Sequence, residues 1–326
     1  MADVPLVSVV IPLFNKGPHI ARTIKSVLNQ SEQNFEIIIV DGQSTDEGPM
    51  IVKSFQDRRI QLLEQKGVGV SSARNEGIEY SQSDFIAFLD ADDEWMEDHL
   101  ETLLKLRKIY PEAGACTTAY LVKYPNFRIK MANFHAIPKK PWEGLLPSYF
   151  KSAAFGSPPV WTSAVGIPKN ILIEVGGFNI DEWRGEDLDL WARIAIKYPI
   201  AFSWEGIAIY HTEATNRACN RIEPLFKDLV IVNNIRKVLE SDEIHHEIRN
   251  GMYEYVAKLH IYAAWINYRA NRSDLARQNL KKCVTNKLLI KKYWALFWTH
   301  IPVNIFYMVS YLKNKLIMKF PVKNSR

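Results

Sequence analysis

Apolar residues in the first two thirds of this chain gather into short runs separated by segments of helical period. Runs rich in β-branched residues occupy 6–11, 35–40, 60–63 and 85–89, each about the length of a strand. Between them, apolar positions recur at three- and four-residue spacing over about 20–28, 49–55 and 70–80, which predicts helices. This alternation with short connections predicts right-handed crossovers and a mostly parallel, doubly wound α/β sheet with helices on both faces. In such sheets ligands bind beyond the carboxyl ends of the strands.

The pattern continues less regularly. A helix is expected from 95 to 109, and 124–161 reads as a loop-rich insertion on the acceptor side, rich in Pro, Lys and aromatics. A strand near 162–167, a helix over 169–175, a turn at Gly176-Gly177, a helix over 186–197 and a strand over 207–210 ending at His211 follow. Helical patterns then dominate, at 224–239, 244–269, 273–283 and in an aromatic tail. The expected division is an α/β domain over 1–212 and a basic helical region over 213–326.

Chemistry gathers at the strand ends. The run Phe85–Leu89 stops at Asp90-Ala91-Asp92-Asp93-Glu94. In extended backbone Asp90 and Asp92 point the same way, and two oxygen ligands on one face suit Mg2+ or Mn2+. Acids complementing the dipole of the helix from 95 are the competing reading. Trp95 argues against an EF-hand, because the sixth position of that loop calls for Gly. Asp41-Gly42 after the second strand is either an ordinary turn or a carboxylate for a base or ribose. Arg74 is either a phosphate or base ligand or a solvated helix residue. Gly67-Val68-Gly69 lacks the third glycine of a dinucleotide fingerprint. Glu186, Asp187 and Asp189 either complement a helix dipole or include a general base whose pKa the neighbouring tryptophans raise. Because Asn15, Asp41 and Asp90 all follow carboxyl ends, one shared crevice is expected, which favours metal over capping.

These segments together resemble the family 2 inverting glycosyltransferases of the GT-A fold, over roughly residues 5–212. The resemblance rests on Val7–Asn15, Val40–Asp46, Ala73-Arg74-Asn75, Leu89–Asp93, Gly176-Gly177-Phe178 and Glu186–Trp191, in that order. It implies a sugar transferred from a nucleotide-diphosphate sugar, with uridine the commonest base, to a hydroxyl of a glycan or lipid-linked acceptor. It implies donor contacts at Pro12, Asn15, Asp41, Arg74 and Asp90, further substrate contacts at Glu186 and Trp191, and Mg2+ or Mn2+ on Asp90, Asp92 and His211. Asp92 is the expected direct ligand and Asp187 the expected general base. Glycan or polysaccharide biosynthesis is the implied setting. Gln43 departs from the family's pattern, where many members carry a second aspartate, and puts the turn geometry in question. A sugar nucleotidyltransferase would carry a Gly-rich basic loop after the first strand, which Pro12–Gly17 is not. A nucleotide-sugar-binding module without catalysis is argued against by Asp187.

Charge sharpens the division. The net charge of +5 combines 21 Lys/Arg and 27 Asp/Glu in residues 1–210 with 20 and 9 in 211–326. From Leu275 onward there are 11 basic residues and no acidic one. The three cysteines, Cys116, Cys219 and Cys283, are far apart and fit a reducing compartment rather than a disulfide or zinc framework. Asp3 and an interrupted apolar run argue against a signal peptide, so a cytoplasmic location is expected. The aromatic tail from Tyr293 to Leu312, flanked by Lys291-Lys292 and by Lys313 and Lys315, reads either as buried helices or as an interfacial membrane anchor. Polar interruptions and Pro302 argue against a spanning helix, and no recognition motif supports nucleic-acid binding.

Overall fold

A computed structural model describes residues 4–126, 128–214, 217, 220–240 and 246–319. Asp3 and Cys219, used above, lie outside the described residues, as do the side chains of Lys313 and Lys315. The first part comprises β1 (Val7–Leu13), α1 (Gly17–Leu28), β2 (Phe35–Asp41), α2 (Gly48–Ser54), β3 (Ile60–Glu64), α3 (Gly69–Tyr80) and β4 (Phe85–Phe88). It continues through β5 (Glu94–Trp95), α4 (His99–Ile109), β6 (Ala115–Lys123), β7 (Ile129–Met131), β8 (Glu143–Leu145) and α5 (Tyr149–Phe155). Then come β9 (Val165–Pro168), α6 (Lys169–Val175), α7 (Glu186–Lys197) and β10 (Ile200–His211). Five helices follow: α8 (Val230–Leu239), α9 (His246–Arg269), α10 (Ser273–Lys282), α11 (Leu289–Trp298) and α12 (Val303–Lys319).

The strands form one sheet in the order β3-β2-β1-β4-β9-β6-β10-β5, with β7 and β8 appended to β6 and β10. Pairing is parallel from β3 through β4 and between β6 and β10; β9 runs antiparallel between β4 and β6. β1 is buried on both faces. Val9, Ile11 and Leu13 meet Ile20, Ile24 and Val27 of α1 in one core, while Val10 joins the core on the opposite face. Each such fully buried aliphatic side chain contributes ~1.5–3 kcal/mol. On the Val10 face, α3 lies close to the sheet because Gly77 has no side chain: a Cβ there would stand 2.4 Å from Val10 Cγ1. That core also takes in residues of α5, α7, α8 and α9, so the C-terminal helices stack on the face that carries α7.

Tertiary contacts displaced several expected boundaries. The helix expected from 95 begins at His99, because Glu94-Trp95 pairs antiparallel with Ala208 and Ile209. Trp95 is buried, stacks on His99, and donates its indole N–H to the Ser163 carbonyl at 2.6 Å. Asp92, Asp93 and Glu94 therefore do not sit at a helix start, and the dipole reading of these acids is withdrawn. The helix expected from 224 begins at Val230, whose amide is accepted by Glu182 Oε1 at 2.7 Å. Upstream, Leu225 is strapped to Asn267 by two hydrogen bonds, which hold that stretch out of the helix. The last strand starts at Ile200 rather than 207 and breaks register between Ser203 and Ala208. The insertion over 124–161 contains β7, β8 and α5.

Candidate active site

Register brings the strand ends together. Leu13 of β1 stands beside Asp41 of β2, and the Gly42 amide donates to the Leu13 carbonyl at 2.8 Å. Asn15, at φ 51°, donates its backbone N–H to Ser44 Oγ at 2.9 Å and accepts the Thr45 amide on Oδ1 at 2.8 Å. Asparagine is among the few non-glycine residues that enter this left-handed region readily. Pro12 is half-buried in β1, and the Asp41 carboxylate accepts the Ser44 amide at 3.3 Å. Gln43, where the family pattern departs, also takes positive φ (62°) and points its turn into solvent.

Beyond β4, Asp90 is half-buried and accepts Arg74 Nη2 at 2.8 Å; Arg74 Nη1 reaches Glu186 Oε1 at 3.0 Å. Arg74 is only 4% exposed and lies 5.1 Å over the Phe178 ring. Burial opposes its charge, but Asp90, Glu186 and Asp187 together hold it more firmly protonated than usual. The solvated-residue reading of Arg74 therefore fails. The neighbouring Asn75 fixes the glycine turn, since its amide group both donates to the Phe178 carbonyl (2.8 Å) and accepts the Phe178 amide (2.9 Å). A Cβ on Gly177, whose φ is 64°, would stand 2.7 Å from Asn75 Oδ1.

Asp187 follows Glu186 at the start of α7, after the left-handed Gly185. Burial, then the Glu186 carboxylate, push its pKa up to about 7; Arg74 and the Leu188 amide, which donates to Oδ1 at 2.7 Å, pull against them. Trp191 differs from its expected part. It is fully buried, edge-on to Phe178 at 5.9 Å, and presents no surface to a ligand. Its place is in the packing that supports the first turn of α7.

On the other side of Asp90, Asp92 is buried and paired with Lys16 Nζ at 2.6 Å. Asp93 is buried deeper, accepting the Ser163 hydroxyl (2.7 Å) and the His211 amide (3.0 Å). Its pKa is pushed well above the usual carboxylate range by burial and then by the charges of Asp92 and Asp90. The His211 ring is fully buried between Glu213, 2.8 Å from Nδ1, and Glu94, 3.2 Å from Nε2. Arg22 completes this ring, bonding the Asp92 carbonyl at 2.6 Å and pairing with Glu94 and Glu213. Lys16, Arg22, Asp93, Glu94 and Glu213 were not among the expected site residues. Lys16 and Asp93 adjoin expected ones, whereas Arg22 sits in an amphipathic helix that reads simply as packing.

Two observations bear on a divalent cation. The donors are hard oxygens, and Asp90, Asp92 and Asp93 stand close enough that the first two add to burial in raising the Asp93 pKa, so positive charge is favoured beside them. Against a site made by protein alone, Arg74 and Lys16 already pair with Asp90 and Asp92, and no cluster of three metal-ligating side chains occurs among the described residues. The donor set fits an ion held by a single carboxylate and completed by ligand phosphates, which is the habit of Mg2+.

The sheet, with helices on both faces and carboxylates beyond its strand ends, has the GT-A-type fold. Residues 8–169 match the family described as Glycosyl transferase family 2, and the chain belongs to that family. It is 41% identical over 104 residues to the putative teichuronic acid biosynthesis glycosyltransferase TuaG of Bacillus subtilis, covering 31% of this chain and 41% of that protein. It is 38% identical over 102 residues to WfgD of Escherichia coli, a UDP-Glc:alpha-D-GlcNAc-diphosphoundecaprenol beta-1,3-glucosyltransferase, covering 31% and 40% respectively. The chain thus spans less than half the length of these relatives. In architecture it is similar to S. aureus TarS 1–349 in complex with UDP-GlcNAc, with a TM-score of 0.65 at 14% identity over 85% of this chain and 81% of that one.

Proposed function

We propose that this protein is an inverting hexosyltransferase that moves a sugar from a UDP-sugar to a hydroxyl of a glycan or lipid-linked glycan. Residues 1–212 are the catalytic domain in this reading, and 213–326 a helical region attached to it. The observation that carries it is the placement of Asp187 beside Glu186 at the start of α7, tied through Arg74 to Asp90 beyond β4, where burial raises its pKa to about 7. A carboxylate poised near neutral pH suits general-base work, because it is ionised yet still basic enough to take a proton. The names of TuaG and WfgD, and the UDP-GlcNAc held by TarS, support the same substrate class.

In this reading Asp41 accepts hydrogen bonds from the uracil or ribose, with the backbone from Pro12 to Asn15 beneath the base. The acceptor hydroxyl loses its proton to Asp187 as its oxygen attacks the anomeric carbon. The bond from that carbon to the diphosphate oxygen breaks on the opposite side, and its electron pair leaves with UDP. One in-line step inverts the anomeric centre. Asp92 would hold Mg2+ or Mn2+ together with the donor phosphates; Asp90 and His211 join it only where their pairs with Arg74 and with Glu94 and Glu213 open. Such an ion, when bound, supplies counter-charge to the departing diphosphate. Arg74 holds Asp90 and Glu186 and so positions Asp187.

The test is release of UDP from a panel of UDP-sugars in the presence of Mn2+ and candidate acceptors, with Asp187→Asn alongside. The variant should bind donor as the parent does and lose at least about a hundredfold in transfer. Substantial transfer by Asp187→Asn overturns the assignment.

A further inference from the structure

The last two helices present more apolar surface than their packing uses. The inner side of α11 is occupied: Ala295 and Trp298 are buried with Tyr268 of α9 and with Ala276 and Leu280 of α10. Further ties hold this part in place, with Arg277 donating to the Thr299 carbonyl (2.9 Å) and Tyr268 to the Ile301 carbonyl (3.1 Å). The outer side carries Ile290, Tyr293, Trp294 and Phe297, spaced i, i+3, i+4 and i+7, all more than half exposed. Trp294 and Phe297 stack on one another with centroids 5.8 Å apart, in contact with solvent rather than the core. α12 is joined to this unit through Phe306, whose ring lies 5.1 Å from that of Trp298, while Met308 and Leu312 remain exposed. Isolated exposed apolar residues are ordinary, but a contiguous patch of this kind marks a surface that something covers.

Charge selects the occupant. No acidic residue occurs after Asp274, and the exposed Lys287 and Lys291 stand at the N-terminal end of α11, Lys287 over the Phe155 ring, so the charge of this region is positive. A second copy docking through the same face would bring like charges together, since a two-fold interface sets each patch against itself. An anionic lipid surface instead accepts the lysines at its headgroups while the aromatic side chains enter the boundary between headgroups and acyl chains. Tryptophan and tyrosine suit that boundary, having an apolar body and a polar edge. The described helices are not long and apolar enough to cross a membrane.

We infer that the outer face of α11 with α12 is a docking surface for anionic membrane, on which the protein lies without spanning it. The consequence is orientational. α11 packs on α9, α9 on α5, and α5 touches α7, so a docked platform sets α7, with Asp187 in its first turn, at a fixed attitude to the lipid. This inference rests on the helices and not on the transfer reading, and its test needs no turnover.

The test uses the full chain with vesicles of phosphatidylcholine, with and without phosphatidylglycerol, in a sedimentation assay at low and high salt. Alongside runs the triple variant Ile290→Ser, Trp294→Ser, Phe297→Ser, whose changes are confined to exposed positions and whose folding is checked by circular dichroism. The parent should bind the anionic vesicles at low salt, and bind neutral ones, or at high salt, at least about tenfold less. The variant should lose about tenfold or more in binding to anionic vesicles. Equal partition of parent and variant overturns the inference. So does a parent that ignores vesicles but self-associates in a manner the variant abolishes, which assigns the face to a second copy.

Discussion

Lys16 and Asp92 form a 2.6 Å ion pair between two segments 76 residues apart in the chain, one following β1 and the other following β4. The ammonium sits where the proposed function asks for a divalent ion, so the pair makes the two cations competitors for one carboxylate. Lys16→Met should lower the thermal midpoint in metal-free buffer, because a buried carboxylate left unpaired is destabilising. Added Mn2+ should then raise the midpoint more in the variant than in the parent. Thermal scans across a Mn2+ titration measure both; equal Mn2+ responses would remove Asp92 as a ligand.

Under the proposed function, Asp187 gives the activity and the stability opposite pH trends. With its pKa near 7, kcat/KM should rise about tenfold per pH unit below that value and level off above it. For stability, the folded state keeps a proton that the unfolded chain has released once pH passes the ordinary value of 3.8. The native state therefore binds more protons across the window from 3.8 to about 7, and stability falls as pH rises through it. Asp187→Asn removes this slope, so at pH 8 the variant should unfold about 2–4 °C above the parent. Calorimetry at pH 5 and pH 8 separates the two.

Among the described residues, Arg74 is the one cation paired with both Asp90 and Glu186. Replacing it by Met leaves the largely enclosed Glu186 and the half-buried Asp90 uncompensated, at a cost of ~3 kcal/mol in denaturant titrations. Lysine should rescue only part of that, since an ammonium cannot span both acids as the planar guanidinium does. Because Arg74 also holds the Asp187 pKa down, residual activity in Arg74→Lys should show its pH rise displaced upward if the lysine sits farther from Asp187. A pH profile parallel to the parent's would disconnect Arg74 from the base.

The paired glycines separate two physical effects. Gly176 and Gly177 both have positive φ, but a Cβ at Gly176 meets nothing within 4 Å, whereas one at Gly177 strikes Asn75 Oδ1 at 2.7 Å. Gly176→Ala should cost ~1 kcal/mol from backbone strain alone. Gly177→Ala should cost more, by another ~1–2 kcal/mol, as it displaces the amide that fixes Phe178. Equal losses in urea titrations would mean that the Asn75 clamp contributes nothing.

Much of the fold was legible because its signals are local. β1 and β2 are buried on both faces and so read as continuous apolar runs. The helices over 169–175 and 186–197 lie where periodicity places them, bounded by Gly176 and Gly185, both left-handed. The error at Trp95 has the opposite origin. Its spacing suits a helix, but its indole and backbone are claimed by Ser163 and β10, partners supplied from far along the chain. Trp191 differs for a similar reason: the family resemblance makes it an expected substrate contact, and burial places its ring in the packing instead.

The sequence by itself determined the strands and turns at whose ends the candidate residues stand, because strand length, side-chain alternation and turn residues act over a few positions. It determined the family as well, through the order of its motifs. Tertiary structure decided which charges meet. The Arg74–Glu186 contact spans 112 residues and the Lys16–Asp92 contact 76, separations across which no periodicity carries information. It also decided the protonation of Asp187 and Asp93, since desolvation and the field of neighbouring charges exist only once the strand ends converge.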